Sequence, residues 1–344
     1  MTRLGYTGRM SIRKRRWYSP RQFWLLVICA LLACGVTCFA LRLCAARRQH
    51  AAAAAIVKLG GRVSYDLMHR QYGTWLGKLG LAKRLGLRKL LGDDFFDSAY
   101  EVVLDFQDVG DADLVHLEGW STLKKISLAR TRIHGEGLSH LAGLTRLETL
   151  CLDDSEASDA GLAQLCALGR LRRLSLDRTA VSDAGLEPLA SLVALESLSL
   201  NHTPIGDAGL AKLSGLANLR WLSLYHTAVS DAGLAHLARL TNLESLLLDD
   251  TAIGDAGLRR LQGLPKLRLL SLYHTAISDA GLAHLAALAN LETLYLDRTA
   301  ITDAGLVQLR KLPRLQALFL GDTAVTEQGT AALRRALPLC RVSR

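Results

Sequence analysis

The stretch 231–254 reads DAGLAHLARLTNLESLLLDDTAIG, and it holds two hydrophobic periodicities in succession. In the first half leucine returns at every third position, at Leu234, Leu237 and Leu240, which places one buried stripe on a short helix. The Ser, Thr or Gly that precedes each opening Asp offers an N-cap. In the second half Leu246 and Leu248 alternate with Ser245, Leu247 and Asp249, the period of a strand with one buried face. A single unit of this kind cannot cover its own apolar side. The tetrapeptide DAGL begins at Asp159, Asp183, Asp207, Asp231, Asp255, Asp279 and Asp303, at one unvarying interval, with degenerate copies at Asp111, Gly135 and Glu327. Neighbouring units stacked in register share one leucine interior, which defines a solenoid. The expected fold is an α/β solenoid, a horseshoe with a concave parallel sheet of strands about 4.8 Å apart and convex helices. The first strand is expected at 102–105 and that of the last complete unit at 317–321.

Counting from the Asp of DAGL, position 21 is always a hydroxyl, from Thr131 and Ser155 through Thr323. A hydroxyl there satisfies backbone groups where the chain leaves the strand, so a stabilising ladder is preferred over ligand binding. The glycines of position 3, from Gly137 to Gly329, imply close backbone packing or a special backbone angle. They are no phosphate loop, because neither G-x-G-x-x-G nor G-K-[ST] occurs.

LxxLxxLxLxxT followed by [IV]-[ST]-D-A-G-L resembles the leucine-rich-repeat family over residues 101–344, in the version where Thr stands for the usual Asn. The ITDAGL element is also similar to the cysteine-containing repeats of F-box proteins, although no F-box precedes it and Cys does not occupy their usual slot. Residues 45–100, with LGGRVSYD and WLGKLGLAKRLGLRKLLGDDFF, resemble the connector of single-pass bacterial proteins that carry such repeats. That resemblance implies a basic helix at 45–59, a small element at 63–66 and a cap near 92–100 over the first leucine face.

The organisation expected is a basic cytoplasmic tail at 1–22, a transmembrane helix at 23–41, a basic membrane-proximal connector at 42–92, an N-terminal cap and first strand at 93–110, and the solenoid at 111–344. The span FWLLVICALLACGVTCFAL holds nineteen uncharged residues, close to what a ~30 Å hydrocarbon core requires. Trp17, Tyr18 and Trp24 mark its interface, and seven basic residues precede it against Arg42, Arg47 and Arg48 behind it, so the N-terminus is assigned to the cytoplasm and the repeats to the other side. A cleaved signal peptide competes, but the run is too long for one. A lipoprotein-type anchor at Cys34 also competes, against which the chain stays apolar for seven residues after it; a buried core helix is the plainest alternative.

The formal charge of +10 is split along the chain: residues 1–92 carry 18 Lys or Arg and one acid, Asp66, for +17, which leaves −7 on the rest. Basic flanks beside an apolar run suit anionic lipid, at about 1 kcal/mol per Lys or Arg, and an acidic solenoid does not suit nucleic acid. Of seven cysteines, four lie in or beside the apolar run, and Cys151, Cys166 and Cys340 are read as free thiols.

If positions 15, 17, 19 and 20 face the concavity, the middle repeats present Trp221, Tyr225 and His226, then Asp249 and Asp250, Tyr273 and His274, and finally Tyr295, Asp297 and Arg298. Aromatics among mixed charges have the composition of a ligand-binding patch. Cross-strand pairs such as Asp154 with Arg178, or His226 with Asp250, explain the same residues as sheet stabilisers. No metal site is assigned, because nothing fixes a ligand geometry for His226, His274, Asp249 and Asp250, and no cofactor is expected. Catalytic signatures such as G-x-S-x-G and H-E-x-x-H are absent, so the chain is read as no enzyme, with Ser223 a repeat position before it is a nucleophile. The function expected is a membrane-anchored scaffold whose concave face recognises a protein or glycan. A cytosol-facing adaptor like the F-box repeats, or a structural envelope element, is the alternative.

Overall fold

The computed structural model of the chain describes residues 20–65 and 99–344. The expected tail up to residue 19, the connector at 66–92 and the cap at 93–98 lie outside the described residues.

Two strands, β1 (Arg62–Tyr65) and β2 (Ala99–Val103), precede ten of three residues each. These are β3 (Lys125–Ser127), β4 (Thr149–Cys151), β5 (Arg173–Ser175), β6 (Ser197–Ser199), β7 (Trp221–Ser223), β8 (Ser245–Leu247), β9 (Leu269–Ser271), β10 (Thr293–Tyr295), β11 (Ala317–Phe319) and β12 (Arg341–Ser343). Among the described residues they make one twelve-stranded sheet in sequence order. From β2 onward every pair is parallel and joins equivalent positions of successive units, as Glu101 with Lys125 and Ser245 with Leu269. β1 alone runs antiparallel. The strands are shorter than the alternation implies, because the chain turns away at positions 19 and 20; the first is centred earlier than 102–105, and β12 adds a rung beyond the last complete unit.

The leucine column is dry. Leu234, Leu237, Leu240, Leu243, Leu246, Leu248 and Ile253 of one unit are all fully buried, and the same positions recur in one continuous core. The convex layer mixes helix types: Asp207–Leu213, Asp279–Leu285 and Asp303–Leu309 are α-helical, whereas Glu136–Leu141 and Gly233–Arg239 are 3₁₀. Leucines spaced by three match the three residues per turn of a 3₁₀ helix better than 3.6, which explains why the expected convex helices are so often of the tighter form.

Two polar ladders run along the stack, the first within each unit and the second between units. The position-21 hydroxyl donates to the carbonyl three residues earlier, as Thr131 to Leu128 (2.6 Å), Thr227 to Leu224 (2.7 Å) and Thr299 to Leu296 (2.6 Å), so it is structural. The Asp of DAGL accepts from the residue just before the next DAGL: Asp207 Oδ1 takes the Ser230 N–H at 2.8 Å and Oδ2 takes its hydroxyl at 2.6 Å. That carboxylate fills the space a side chain at the next Gly would need. A Cβ on Gly233 would lie 2.2 Å from Asp207 Oδ1, so of the two reasons open for these glycines close packing is the operative one. A third row, at position 14, alternates in sign: Arg172 pairs forward with Glu196 (2.8 Å), Arg220 with Glu244 (3.2 Å) and Arg268 with Glu292 (2.9 Å).

The N-terminal end of the stack is closed by α1 (Pro20–Lys58), a 39-residue helix. It covers the basic helix expected at 45–59 except for Leu59, and Ala53 and Ile56 join the core. Leu59-Gly60-Gly61 ends it: the Gly61 N–H reaches Ile56 O at 2.9 Å, the Gly60 N–H reaches Val57 O at 3.0 Å, and Gly60 has φ +85°. This is a Schellman stop, in which a left-handed glycine satisfies the last carbonyls. It turns the chain into β1, which is the small element expected at 63–66 and caps β2. The backbone of 23–41 lies within α1, but among the described residues no helix is long and apolar enough to cross a membrane.

The Asp–Gly contact makes a double-mutant prediction. Gly233→Ala should cost about 1–3 kcal/mol through overpacking. Asp207→Ala should cost about 1 kcal/mol or more by leaving the Ser230 N–H and hydroxyl without their acceptor. In urea melts of the full chain the pair should cost clearly less than the sum, because removing the carboxylate makes room for the methyl. Strict additivity would contradict the shared contact.

Candidate functional site

Of the residues expected on the concave face, Trp221 and Tyr295 sit on strands, at the first residue of β7 and the last of β10. The other eight lie past the strand ends, in the turns that leave the sheet, and so form its rim. Sheet-like pairing nevertheless continues there, with the His226 N–H on Asp249 O and the His274 N–H on Asp297 O, each at 2.9 Å. Side chains of successive repeats are therefore held in rows.

Position 20 is left-handed in every repeat, with φ between 51° and 62° from Phe106 to Asp322. Asp and His tolerate this region better than most residues, and six of the ten positions carry them. Their side chains stack rung on rung. Arg130 covers the Phe106 ring at 5.0 Å, and Asp154 lies between Arg130 (3.3 Å) and Arg178 (3.7 Å). His202 meets His226 at 4.8 Å between centroids, Asp250 pairs with His274, and Arg298 binds Asp322 at 3.1 Å. The pairing of Asp154 with Arg178 agrees with expectation; Asp250 reaches forward to His274, while His226 stacks on His202.

Position 19 does a different job. Asp249 Oδ1 accepts the Ser271 hydroxyl and the Tyr273 N–H (2.8 Å), and Asp297 Oδ1 accepts the Gly321 N–H (2.7 Å). Asp249 and Asp297, two of the three acids of the expected patch, are thus structural acceptors. Burial pushes the Asp249 carboxyl above its usual range, while the hydrogen bonds from Ser271 and Tyr273 pull the other way. Asn201 makes the equivalent pair of bonds, to the Ser223 hydroxyl at 2.6 Å and the Tyr225 N–H at 2.9 Å, without a charge.

In two of the middle repeats position 19 is aromatic, at Tyr225 and Tyr273, and rings cluster around it. Tyr225 is edge-on to His202 (4.7 Å), Arg298 lies over Tyr273 (5.5 Å), and Tyr295 stacks on Phe319 (4.3 Å). His202 and Phe319 escaped the sequence reading, although both occupy the same repeat positions as chosen residues one unit away. Partial burial, with the charges of His226 and Arg178, pushes the His202 pKa down. Tyr225 is pushed up by burial and by Asp250.

Among the described residues no group of three or more His, Cys, Asp or Glu is placed to hold a metal ion. All seven cysteines are free. Burial is the main cause that pushes the Cys151 thiol up to about 12, and its Sγ donates to Asp153 at 3.2 Å, so it is a neutral group rather than a nucleophile.

A parallel sheet lined by repeating polar rows, closed at one end by a helix and an antiparallel strand, defines a repeat solenoid. The family described as leucine-rich repeat region matches residues 99–337, and the chain belongs to it. Proteins of this family are in general binding scaffolds or receptors without catalysis. Among solved structures, a leucine-rich-repeat protein of Leptospira interrogans shares 19% identity at a TM-score of 0.51, over 67% of this chain and 62% of its own. A TDR receptor shares 16% at 0.53, over 75% and 44%, and an internalin of Listeria monocytogenes shares 21% at 0.48, over 76% and 94%. The chain thus spans less than two thirds of the first two, and those two likenesses speak to the fold alone. No curated protein sequence matches.

Two outcomes follow from the site. Asp249→Asn keeps both acceptor bonds, and stability at pH 7 should match or exceed wild type. The raised carboxyl favours the fold below its unfolded pKa, about 4, and that contribution is lost as pH rises through the folded value, so any advantage of the variant should vanish in acid. Asp249→Ala should cost about 1–3 kcal/mol by stranding the Tyr273 N–H, read in denaturant melts. Iodoacetamide at pH 8 should label exposed Cys166 in the native protein and leave Cys151 unmodified by mass spectrometry; equal labelling would contradict the burial and pKa of Cys151.

Proposed function

We propose that this chain is a membrane-anchored, non-enzymatic leucine-rich-repeat protein that recognises a protein partner through the C-terminal half of its concave rim. The observation that carries this reading is the clustering of half-buried rings beside charged rungs, Tyr225, Tyr273 and Tyr295 with Phe319, on the coils of β7, β9, β10 and β11, whose strands are already paired on both sides. Rings held in place before binding lose little entropy on contact, which suits them as anchors. His226, His274 and Arg298 are exposed beside them and supply a polar border.

For the anchor, support comes from the nineteen-residue uncharged run inside a 39-residue helix and from exposed Val36, Phe39 and Leu41 along it. The chain stays apolar for seven residues after Cys34, which favours an uncleaved anchor over one lipidated there. The charge balance favours a cytoplasmic N-terminus, with the repeats outside and anionic lipid at the basic flanks. The free state of every cysteine supports the opposite orientation, a cytosol-facing adaptor, because thiols persist in reducing compartments.

Added protease on intact cells separates the two: cleavage of the repeats supports the outward orientation, and full protection the adaptor. For recognition, full-length protein carrying Tyr225→Ser, Tyr273→Ser and Tyr295→Ser should keep its melting transition within a few degrees and lose crosslinked partner at least tenfold. An unchanged crosslinking profile would leave a structural envelope element in place of a receptor.

A further inference from the structure

The concave sheet is unevenly filled on the N-terminal side of the aromatic rim. Arg173, Ser197 and Trp221 occupy the same position on β5, β6 and β7 and are direct neighbours in register. A serine between two of the largest side chains leaves a slot whose walls are two strand spacings apart, roughly 9–10 Å between backbones. It opens into a hollow of about 400 Å³, within the size range of small-molecule sites.

The chemistry of that hollow is decided by which polar groups remain uncommitted. Both Asp177 oxygens are taken by Asn201, through its N–H and its Nδ2 (2.9 Å each). The Ser199 and Ser223 hydroxyls are likewise bonded to Asn201. Cys151 is a neutral thiol held by Asp153. The Arg173 guanidinium donates through Nε to Thr149 Oγ1 at 3.1 Å, which fixes its plane. Unlike Arg172 and Arg220 it has no carboxylate partner among the described residues. The Ser175 and Ser197 hydroxyls and the Trp221 indole N–H, all on half-buried residues, have no hydrogen-bond partner there either. The slot therefore offers a flat aromatic face on one wall, an unpaired cation on the other, and free hydroxyls on its floor.

We propose that this slot binds an acidic saccharide, with a carboxylate-bearing pyranose ring packed on Trp221, its carboxylate on the Arg173 terminal nitrogens and its hydroxyls on Ser175 and Ser197. A pyranose has a C–H-rich face for the indole and equatorial hydroxyls that match neutral donors and acceptors. Guanidinium and carboxylate meet in a charge-assisted, bidentate geometry. An extended peptide fits less well: the backbone groups of β5, β6 and β7 are paired on both sides, and there is one notch rather than a series of side-chain pockets. The inference deepens the reading of the concave face as a recognition surface, adding a ligand class and a location away from Tyr273 and Tyr295.

The test is calorimetric titration of the full-length protein in detergent with a galacturonic acid trimer, a neutral galactose trimer and a glutamate-rich peptide. The acidic trimer should bind saturably, at least tenfold more tightly than the neutral one, and weaken as salt is raised. Arg173→Gln should abolish the preference for acid, Trp221→Leu should weaken both sugars at least tenfold, and Ser197→Tyr, which fills the slot, should abolish binding. All three side chains border solvent, so melting transitions should be unchanged. Tyr273→Ser should leave sugar binding intact whatever it does to partner capture, which separates this site from the protein-recognition rim. Absence of saturable binding by the acidic trimer, binding indifferent to Ser197→Tyr, or tighter binding of the peptide with displacement of the sugar would overturn the proposal.

Discussion

Seven aliphatic side chains per coil, each fully buried, have no place to go except against the same seven of the next coil. The entire architecture depends on that constraint. Because the side chains are nearly identical from coil to coil, the backbone must return to the same place once per repeat, and the strands fall into register without any long-range specification. Leucine in such a column buries enough surface for each truncation to cost about 2–5 kcal/mol.

Fixing the coils this tightly leaves backbone groups at the corners that no strand or helix satisfies, and three kinds of side chain answer them. The Thr hydroxyl takes the carbonyl at the strand exit, the position-19 acid or amide takes an N–H of the following coil, and the Asp of DAGL takes the N-cap of the next helix. Glycine at position 3 exists to make room for that Asp. Much of the motif is therefore a set of answers to one geometric problem. What remains free for recognition is narrow: alternate position-19 side chains, the position-20 row and the outward residues of the strands.

The solenoid was legible in the sequence because burial leaves a period, and that period is unbroken from Asp159 to Asp303. The role of Thr251 and its equivalents followed from chemistry, since a hydroxyl beside a turn has an obvious acceptor. The candidate site was less legible. Asp249 and Asp297 look like patch residues among the outward positions, yet whether a carboxylate faces a ligand or an N–H one coil away depends on a backbone turn that periodicity does not encode. The slot at Ser197 was invisible for a related reason: it arises from a small residue flanked by large ones on other coils, a comparison across repeats rather than along the chain. The division of the convex layer between 3₁₀ and α forms was not read either, although leucines spaced by three contained the signal.

The alternating charges at position 14 give the solenoid a parity. Arg172, Arg220 and Arg268 each face a glutamate on the coil ahead, so the sequence along that edge repeats every two coils rather than every one. Removing a single coil by recombination would bring like charges together at the junction, whereas removing two would leave the row intact. Each exposed pair contributes only about 0.2–1 kcal/mol, yet repeated along an edge the preference has a direction. A scaffold of this kind lengthens and shortens most easily by pairs of coils, and its duplications would be expected to occur in twos.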